Sequence, residues 1–301
     1  MRIVAALGGN AVLERGERPD SDIQQSHVQM AVRALAPLAR DHELIITHGN
    51  GPQVGMLAIE SSQDPALTRP FPFDVLGAQT QGMIGYWLAQ ALAGAVPEKR
   101  VGCLISQTLV DPADPAFAEP AKFVGGGYDE AEARALAAER GWVVRRDGAA
   151  WRRVVASPEP RELIELPLIR TLLASGALVI CAGGGGIPVM AAADGRLHGV
   201  EAVIDKDLTA ALLALALDAD ALLLLTDVDA VIDRFGTPAA RPIRRATVGE
   251  LRSLGLPAGS MGPKAEAACR FADRSGRMAA IGRLDQAGLL LAGTAGTTVL
   301  P

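Results

Sequence analysis

The stretch Val203-Ile-Asp-Lys-Asp207 sets one ammonium group between two carboxylates at the mouth of the apolar run Leu208 to Leu217. Side chains at the entrance to such a run are normally turning apolar, so three adjacent charges there point to a task. Lys206 is the first candidate for it. The chain holds 29 Lys plus Arg, yet its lysines are only Lys99, Lys122, Lys206 and Lys264, and all its other cations are arginines. Arginine is a rigid planar fork and lysine a compact, mobile point charge, so a lysine kept in an arginine-writing chain marks a position that needs the latter. Lys99, between Glu98 and Arg100, reads as surface charge. Lys122, Lys206 and Lys264 stand near Gly, Pro or Asp in segments that read as loops. Asp207 can hold an ammonium group and also complement the dipole of the helix that starts there.

Glycine-rich turns form the second set of candidates. Arg2 to Leu7 reads as a buried strand ending in Gly8-Gly9-Asn10, and Glu43 to Thr47 as another ending in His48-Gly49-Asn50-Gly51-Pro52. Glycine lets backbone N–H groups approach an anion closely, and a strand feeding such a turn and then a helix puts those groups at a helix N-terminus. Each turn can hold a carboxylate or a phosphate. The strand Leu178 to Ala182 runs into Gly183-Gly184-Gly185-Gly186; with no packing return for so many flexible residues, close approach of a ligand is the expected reason. No Gly-Lys-Ser/Thr follows, so the run is not a P-loop, and it is not a Rossmann fingerprint.

Positioning these groups requires a particular architecture. The chain has 301 residues, 49% hydrophobic content and 33 glycines, enough for one large or two moderate domains. Helical patterns over 21–40, 78–93, 162–175, 207–217, 248–254 and 264–275 alternate with strand patterns. That alternation predicts an α/β fold with a largely parallel central sheet, helices on both faces and ligands at the carboxyl ends of the strands. Residues 111–157, with a hairpin turning at Asp147-Gly148, read as a small inserted, protruding subdomain. The net charge of -5 and the lack of a basic stripe argue against nucleic acid as a partner. The longest apolar run is about half of the ~20 residues that span a bilayer, so no membrane partner and a cytoplasmic location are expected. Cys103, Cys181 and Cys269 are odd in number and lie in apolar surroundings, the pattern of buried free thiols.

No Gly-x-Ser-x-Gly elbow, no metal-ligand spacing among the four histidines and no Cys–His pairing is present. What is left, anion-binding turns with lysines at helix starts and acids beside them, suits phosphoryl transfer, where catalysis is mostly positioning and neutralisation of charge. The segments Ala6-Leu-Gly-Gly-Asn10, Thr47-His-Gly-Asn-Gly-Pro-Gln53, Ala182-Gly-Gly-Gly-Gly-Ile-Pro188, Glu201-Ala-Val-Ile-Asp-Lys-Asp207, Leu225-Thr-Asp-Val-Asp229 and Gly259-Ser-Met-Gly-Pro-Lys264 resemble, in order and over essentially the whole chain, the carbamate kinases of the amino acid kinase fold.

The resemblance implies reversible transfer between ATP and carbamate to give ADP and carbamoyl phosphate, with Mg2+, in a homodimer that commonly makes ATP during arginine catabolism. It implies a carbamoyl-binding part over 1–215 and a nucleotide-binding part over 216–301. Carried over, Gly8, Gly9, Asn10, Gly49, Asn50 and Gly51 surround the carbamate and phosphoryl groups, and Lys206 and Lys264 stabilise the moving phosphoryl. Lys122 reaches in from the subdomain, Asp207 organises the lysines, and Thr226, Asp227, Gly259, Ser260, Met261 and Gly262 line the nucleotide site. Ala5 and Ala6 stand where the wider superfamily often has a lysine, which gives Lys206 that role. Two other readings stay open: a kinase of this fold acting on another small carboxylate, and a nucleotide-binding sensor without turnover.

Overall fold

The computed structural model describes residues 1–14, 16–257 and 261–301. The chain opens with β1 (Arg2–Leu7), α1 (Ser21–Asp41), β2 (Glu43–His48), α2 (Gly51–Gln63), α3 (Phe73–Ala95), β3 (Val101–Cys103) and β4 (Gln107–Leu109). Next come β5 (Lys122–Tyr128), α4 (Glu130–Arg140), β6 (Val143–Asp147) and β7 (Ala150–Val155). The chain continues through β8 (Glu162–Leu163), α5 (Leu166–Ala174), β9 (Leu178–Ile180), β10 (Ile187–Ala191), β11 (Leu197–Gly199) and α6 (Lys206–Ala216). It closes with β12 (Ala221–Thr226), β13 (Val231–Asp233), β14 (Arg241–Ile243), β15 (Arg245–Thr247), α7 (Val248–Ser253), α8 (Met261–Ser275), β16 (Met278–Arg283), α9 (Ala287–Leu291) and β17 (Thr297–Leu300).

Among the described residues, eight strands form one sheet in the order β15-β17-β16-β12-β1-β2-β9-β3. Neighbours are parallel except β16 and β17. Successive side chains of a strand point to opposite faces, and β1 shows what that does here. Val4 and Ala6 enter a core shared with α5, α6 and α8, whereas Ile3, Ala5 and Leu7 enter a second core shared with α1, α3 and α9. A strand covered on both sides needs an unbroken apolar run rather than an alternating one. Ile3 to Leu7 and Ala221 to Leu225 are such runs. The four adjacent central strands β12, β1, β2 and β9 all end on the same edge, so Thr226, Gly8, Gly49 and Gly183 come together there.

The four-glycine run has a packing reason after all. A Cβ at Gly183 would lie 2.4 Å from His48 Nε2, one at Gly184 2.3 Å from Asn50 Nδ2, one at Gly185 2.7 Å from the Ile204 carbonyl oxygen, and one at Gly186 2.0 Å from Thr108 Oγ1. The expected ligand is replaced by the protein's own side chains: the run is thin so that His48, Asn50 and Thr108 can press against it. Gly184, Gly185 and Gly186 also take φ of 66°, 92° and 89°.

Other local expectations shift for identifiable reasons. The helix expected over 162–175 starts only at Leu166, because Glu162–Leu163 pairs with β4 and Pro167 sits in the first helical turn. Lys206 and Lys264 lie in the first turns of α6 and α8, and Lys122 opens β5, so none of the three is on a loop. Cys181 and Cys269 are buried, but Cys103 is exposed because β3 is the sheet's edge. The segment between β4 and β8 carries an antiparallel three-stranded sheet, β5-β7-β6, with α4 beside it. Among the described residues no helix is long and apolar enough to cross a membrane.

Replacing Gly186 with Ala should therefore destabilise the fold: the new methyl collides with Thr108 and the positive φ disfavours any side chain. A loss of about 2 kcal/mol or more is expected in urea unfolding at pH 7. An unchanged midpoint and slope would show that the glycine run is not packed in this way.

Candidate active site

The site is built where α6 begins. Asp205 caps that helix: its Oδ1 accepts from the N–H of Asp207 at 2.9 Å and of Leu208 at 3.4 Å, while its Oδ2 accepts from Lys122 Nζ at 3.2 Å. One turn of backbone thus points Lys206 and Asp207 inward. Asp207 is almost wholly buried, and its two carboxylate oxygens serve two ammonium groups: Oδ1 accepts from Lys206 and Oδ2 from Lys264 Nζ, the latter at 3.2 Å. Residues 57 positions apart meet because α6 and α8 pack side by side with their N-terminal turns on the same edge.

The charges set one another. Burial alone would raise the Asp207 carboxyl, but Lys206 and Lys264 outweigh it and hold the group below the usual aspartate value. Burial drives the Lys206 ammonium below the usual lysine value, against the pull of Asp207 and with help from the nearby charge of Lys264. Three lysines face two aspartates here, so the cluster carries one surplus positive charge at the N-terminus of α6, which itself favours an anion.

The two glycine turns meet this cluster from the sheet. Gly8 N–H donates to Leu225 O at 2.8 Å and Gly49 N–H to Leu7 O at 2.9 Å. These two N–H groups are therefore used to extend the sheet and are not offered to a ligand. What their lack of a side chain provides is closeness. A Cβ at Gly49 would lie 2.7 Å from Gly9 N, and one at Gly8 would lie 3.1 Å from Leu225 O and 3.7 Å from Thr226 Cα. Gly9 opens a short 3-10 turn, Gly9–Ala11, which includes Asn10, and Gly51 opens α2. The first N–H groups of a helix have no intrahelical acceptor. Asn50 is buried, with Nδ2 donating to Thr80 Oγ1 at 2.9 Å, and its backbone caps α2.

On the far side of Gly8, Thr226 ends β12 and donates its hydroxyl to Asp227 Oδ1 at 3.0 Å. Met261 and Gly262 form the first turn of α8; Gly262 N–H donates to Pro257 O at 3.0 Å, and a Cβ there would sit 2.6 Å from that oxygen. Gly259 and Ser260 lie outside the described residues.

A family model described as the amino acid kinase family matches residues 1–282. The chain belongs to the amino acid kinase family. Among the relatives it resembles are the carbamate kinases of Rhizobium meliloti (strain 1021), 48% identical over 302 residues with 99% of this chain and 93% of the relative covered, and of Pyrococcus furiosus, 45% identical with 100% and 99% covered. A solved structure of carbamate kinase from Giardia lamblia bound to AMP-PNP superposes with a TM-score of 0.92 at 38% identity, covering 99% of this chain and 98% of that one.

Two residues of this amino acid kinase escape a reading by composition. Asp205 looks like one more charge in a cluster, and only the N-cap geometry shows that it links Lys122 to α6. His48 looks like one of four scattered histidines, although its place at the end of β2, just before Gly49-Asn50-Gly51, is a usable signal. It is fully buried, and its Nδ1–H donates to Gly49 O at 3.0 Å, which leaves Nε2 as the unprotonated nitrogen against Gly183. Burial lowers its pKa to about 4, opposed by the Gly49 hydrogen bond and aided by the charge of Lys206.

A histidine whose folded pKa lies below its unfolded value of 6.5 contributes stability that is complete above pH 6.5 and lost as pH falls toward 4. The gap corresponds to about 3 kcal/mol. Unfolding titrations from pH 7 to pH 4 should show the native chain losing stability relative to His48→Gln by that order. Parallel curves for the two proteins would contradict a buried neutral His48.

Proposed function

We propose that the chain is a carbamate kinase, catalysing reversible phosphoryl transfer from ATP to carbamate to give ADP and carbamoyl phosphate. The observation that carries this reading is the convergence of Lys206 and Lys264 on the buried carboxylate of Asp207, at the edge where the glycine turns of β1 and β2 meet the end of β12. The relatives named carbamate kinase, similar over nearly their whole length, support the acceptor, and AMP-PNP in the Giardia protein supports the nucleotide.

In the synthetic direction a carboxylate oxygen of carbamate attacks the γ-phosphorus of ATP, the bond from that phosphorus to the β–γ bridging oxygen breaks, and ADP leaves with the electron pair. Carbamate is already an anion, so the step needs no general base. Asp207 is unsuited to that role in any case, since both its oxygens accept from ammonium groups. The requirement is to neutralise the transferring group and align its two partners. Lys206 and Lys264 supply the positive charge, fixed in direction by the carboxylate they share. The N–H groups of Gly9, Asn10 and Gly51 receive the oxygens on the carbamoyl side, with Asn50 shaping the turn. Thr226, Asp227, Met261 and Gly262 flank the nucleotide side, and Gly259 and Ser260 belong to the same loop by sequence. Lys122 approaches from the inserted unit.

The N-terminal part, 1–215, and the C-terminal part, 216–301, then supply the two substrates across a single strand boundary. Gly8 is the contact point, because a side chain there would crowd the Leu225 carbonyl oxygen, at 3.1 Å, just before Thr226. Carbamate has four heavy atoms, worth about 6 kcal/mol of binding at the very best, so a small, donor-dense pocket suits it better than a broad apolar one. Asp205 and Asp207 are engaged with lysines and backbone, and no metal-binding cluster of three acids, histidines or cysteines occurs among the described residues. Mg2+ in this reading enters as part of the substrate, on the phosphate oxygens of the nucleotide. A cytoplasmic homodimer that makes ATP during arginine catabolism is the setting that goes with the carbamate kinases.

Purified protein mixed with ADP, carbamoyl phosphate and Mg2+ should form ATP. A folded protein that forms none, or that accepts another acyl phosphate in its place, would overturn the assignment of carbamate. In the active protein Lys264→Ala should lower kcat by roughly a hundred- to a thousandfold, the usual cost of one positioned charge-stabilising group. Asp207 keeps Lys206 in that variant, so the melting temperature should move little; an unimpaired kcat would remove Lys264 from the reaction.

A further inference from the structure

The register of the inserted sheet raises a question that the transfer chemistry does not answer. Lys122 stands opposite Val155 and Val124 opposite Arg153. Alternate residues of a strand share a face, so Lys122, Val124, Arg153 and Val155 lie on one face of that sheet. Val124 and Val155 pack with Val54, Phe73 and Leu76, so this face is turned to the main body. Lys122 reaches Asp205 at 3.2 Å, and Arg153 Nη2 reaches Glu201 Oε1 at 2.5 Å. Between the two ties, Val203 N–H donates to Ala156 O at 3.0 Å and Ala156 pairs with Ala202. Both charged ties thus land on the strip 201–205 that runs into α6.

The two ties are alike as ion pairs but unequal in their support. Side-chain exposures are 40% and 15% for Lys122 and Asp205 and 17% and 39% for Arg153 and Glu201, and a partly exposed pair alone is too weak to hold a unit in place. Arg153 is far better held. Its guanidinium carbon lies 5.0 Å from the Phe73 ring centre and 4.6 Å from that of Trp142, so a main-body ring and an insert ring both contact it. Its partner Glu201 is fixed in turn, since Oε2 accepts from Phe73 N–H at 2.9 Å in the first turn of α3. Stacking of a partly desolvated guanidinium adds to the charge pair.

We infer that Arg153 is a positioning residue: clasped between Phe73, Trp142 and Glu201, it seats the inserted sheet on the main body so that Lys122 stands over the transfer site. The inference rests on the kinase reading above. It separates two tasks on one face, with lysine delivering charge to the substrate and arginine fixing where that lysine stands.

The test is steady-state kinetics of ATP formation with carbamoyl phosphate and ADP varied in turn. Arg153→Ala should raise KM for carbamoyl phosphate about tenfold or more and leave KM for ADP within about twofold, because the displaced lysine serves the phosphoryl group to be transferred, which carbamoyl phosphate carries and ADP does not. Arg153→Lys restores the charge pair but not the stacking, so its KM should fall between the two. Glu201→Gln, outside the insert, should shift KM in the same direction and keeps the test valid if Arg153→Ala fails to fold. In a Lys122→Gln background, assayed at high enzyme concentration, Arg153→Ala should add no further loss, since the residue it positions is gone. Equal losses in both backgrounds, or parallel rises in both KM values, would reduce Arg153 to a structural residue. An inactive native chain would reject the kinase reading, whereas an active native chain with indifferent Arg153 and Glu201 variants would reject this inference alone.

Discussion

Asp207 is the constraint on which the rest of the site depends. A carboxylate this deeply buried is tolerable only if its charge is matched, and leaving a buried charge with no partner at all typically costs about 3–5 kcal/mol. Two ammonium groups from two helices match it here. Because α6 and α8 each contribute a first-turn lysine to the same carboxylate, their N-termini must lie together at the carboxyl edge of the sheet. The alanine-rich contact between the two helices, through Ala210, Ala214, Ala268 and Ala272 in one core, lets them approach closely enough for that meeting.

The cluster then has a property that no single pair would have. With Asp205 tying Lys122 to the cap of α6, three positive and two negative side chains share one helix start. The acids fix direction and the surplus charge stays available to an incoming anion. This preorganisation is the main contribution a protein can make to phosphoryl transfer, in which the bonds broken and formed belong to the substrates.

The architecture was legible in the sequence because its signals are local. Doubly covered parallel strands demand apolar runs such as Ile3 to Leu7, and scarce lysines in an arginine-rich chain stand out at Lys122, Lys206 and Lys264. The less legible features depend on partners distant in the chain. Gly183 to Gly186 cannot be told from a ligand-binding loop until His48, Asn50 and Thr108 are seen against it. Gly8 and Gly49 carry the glycines of an anion-binding turn, yet their N–H groups are taken by Leu225 and Leu7 of neighbouring strands. Arg153 is one of many arginines until the sheet register sets it on the same face as Lys122.

The division of cations seen in the composition follows the division of labour in the fold. Arginine holds seams: Arg153 clasps the insert between two rings, and Arg270 grips Glu159 with both terminal nitrogens, at 2.6 and 3.0 Å, tying the chain returning from the insert to α8. A planar fork suits such joints because it fixes orientation as well as distance. In the proposed reaction lysine sits where the bound group itself changes place. A phosphoryl moving from one oxygen to another needs charge that can follow it, and a single ammonium on a flexible stem can reorient where a bidentate guanidinium would hold one endpoint too firmly. The shared carboxylate of Asp207 limits that freedom by holding both ammonium groups in place.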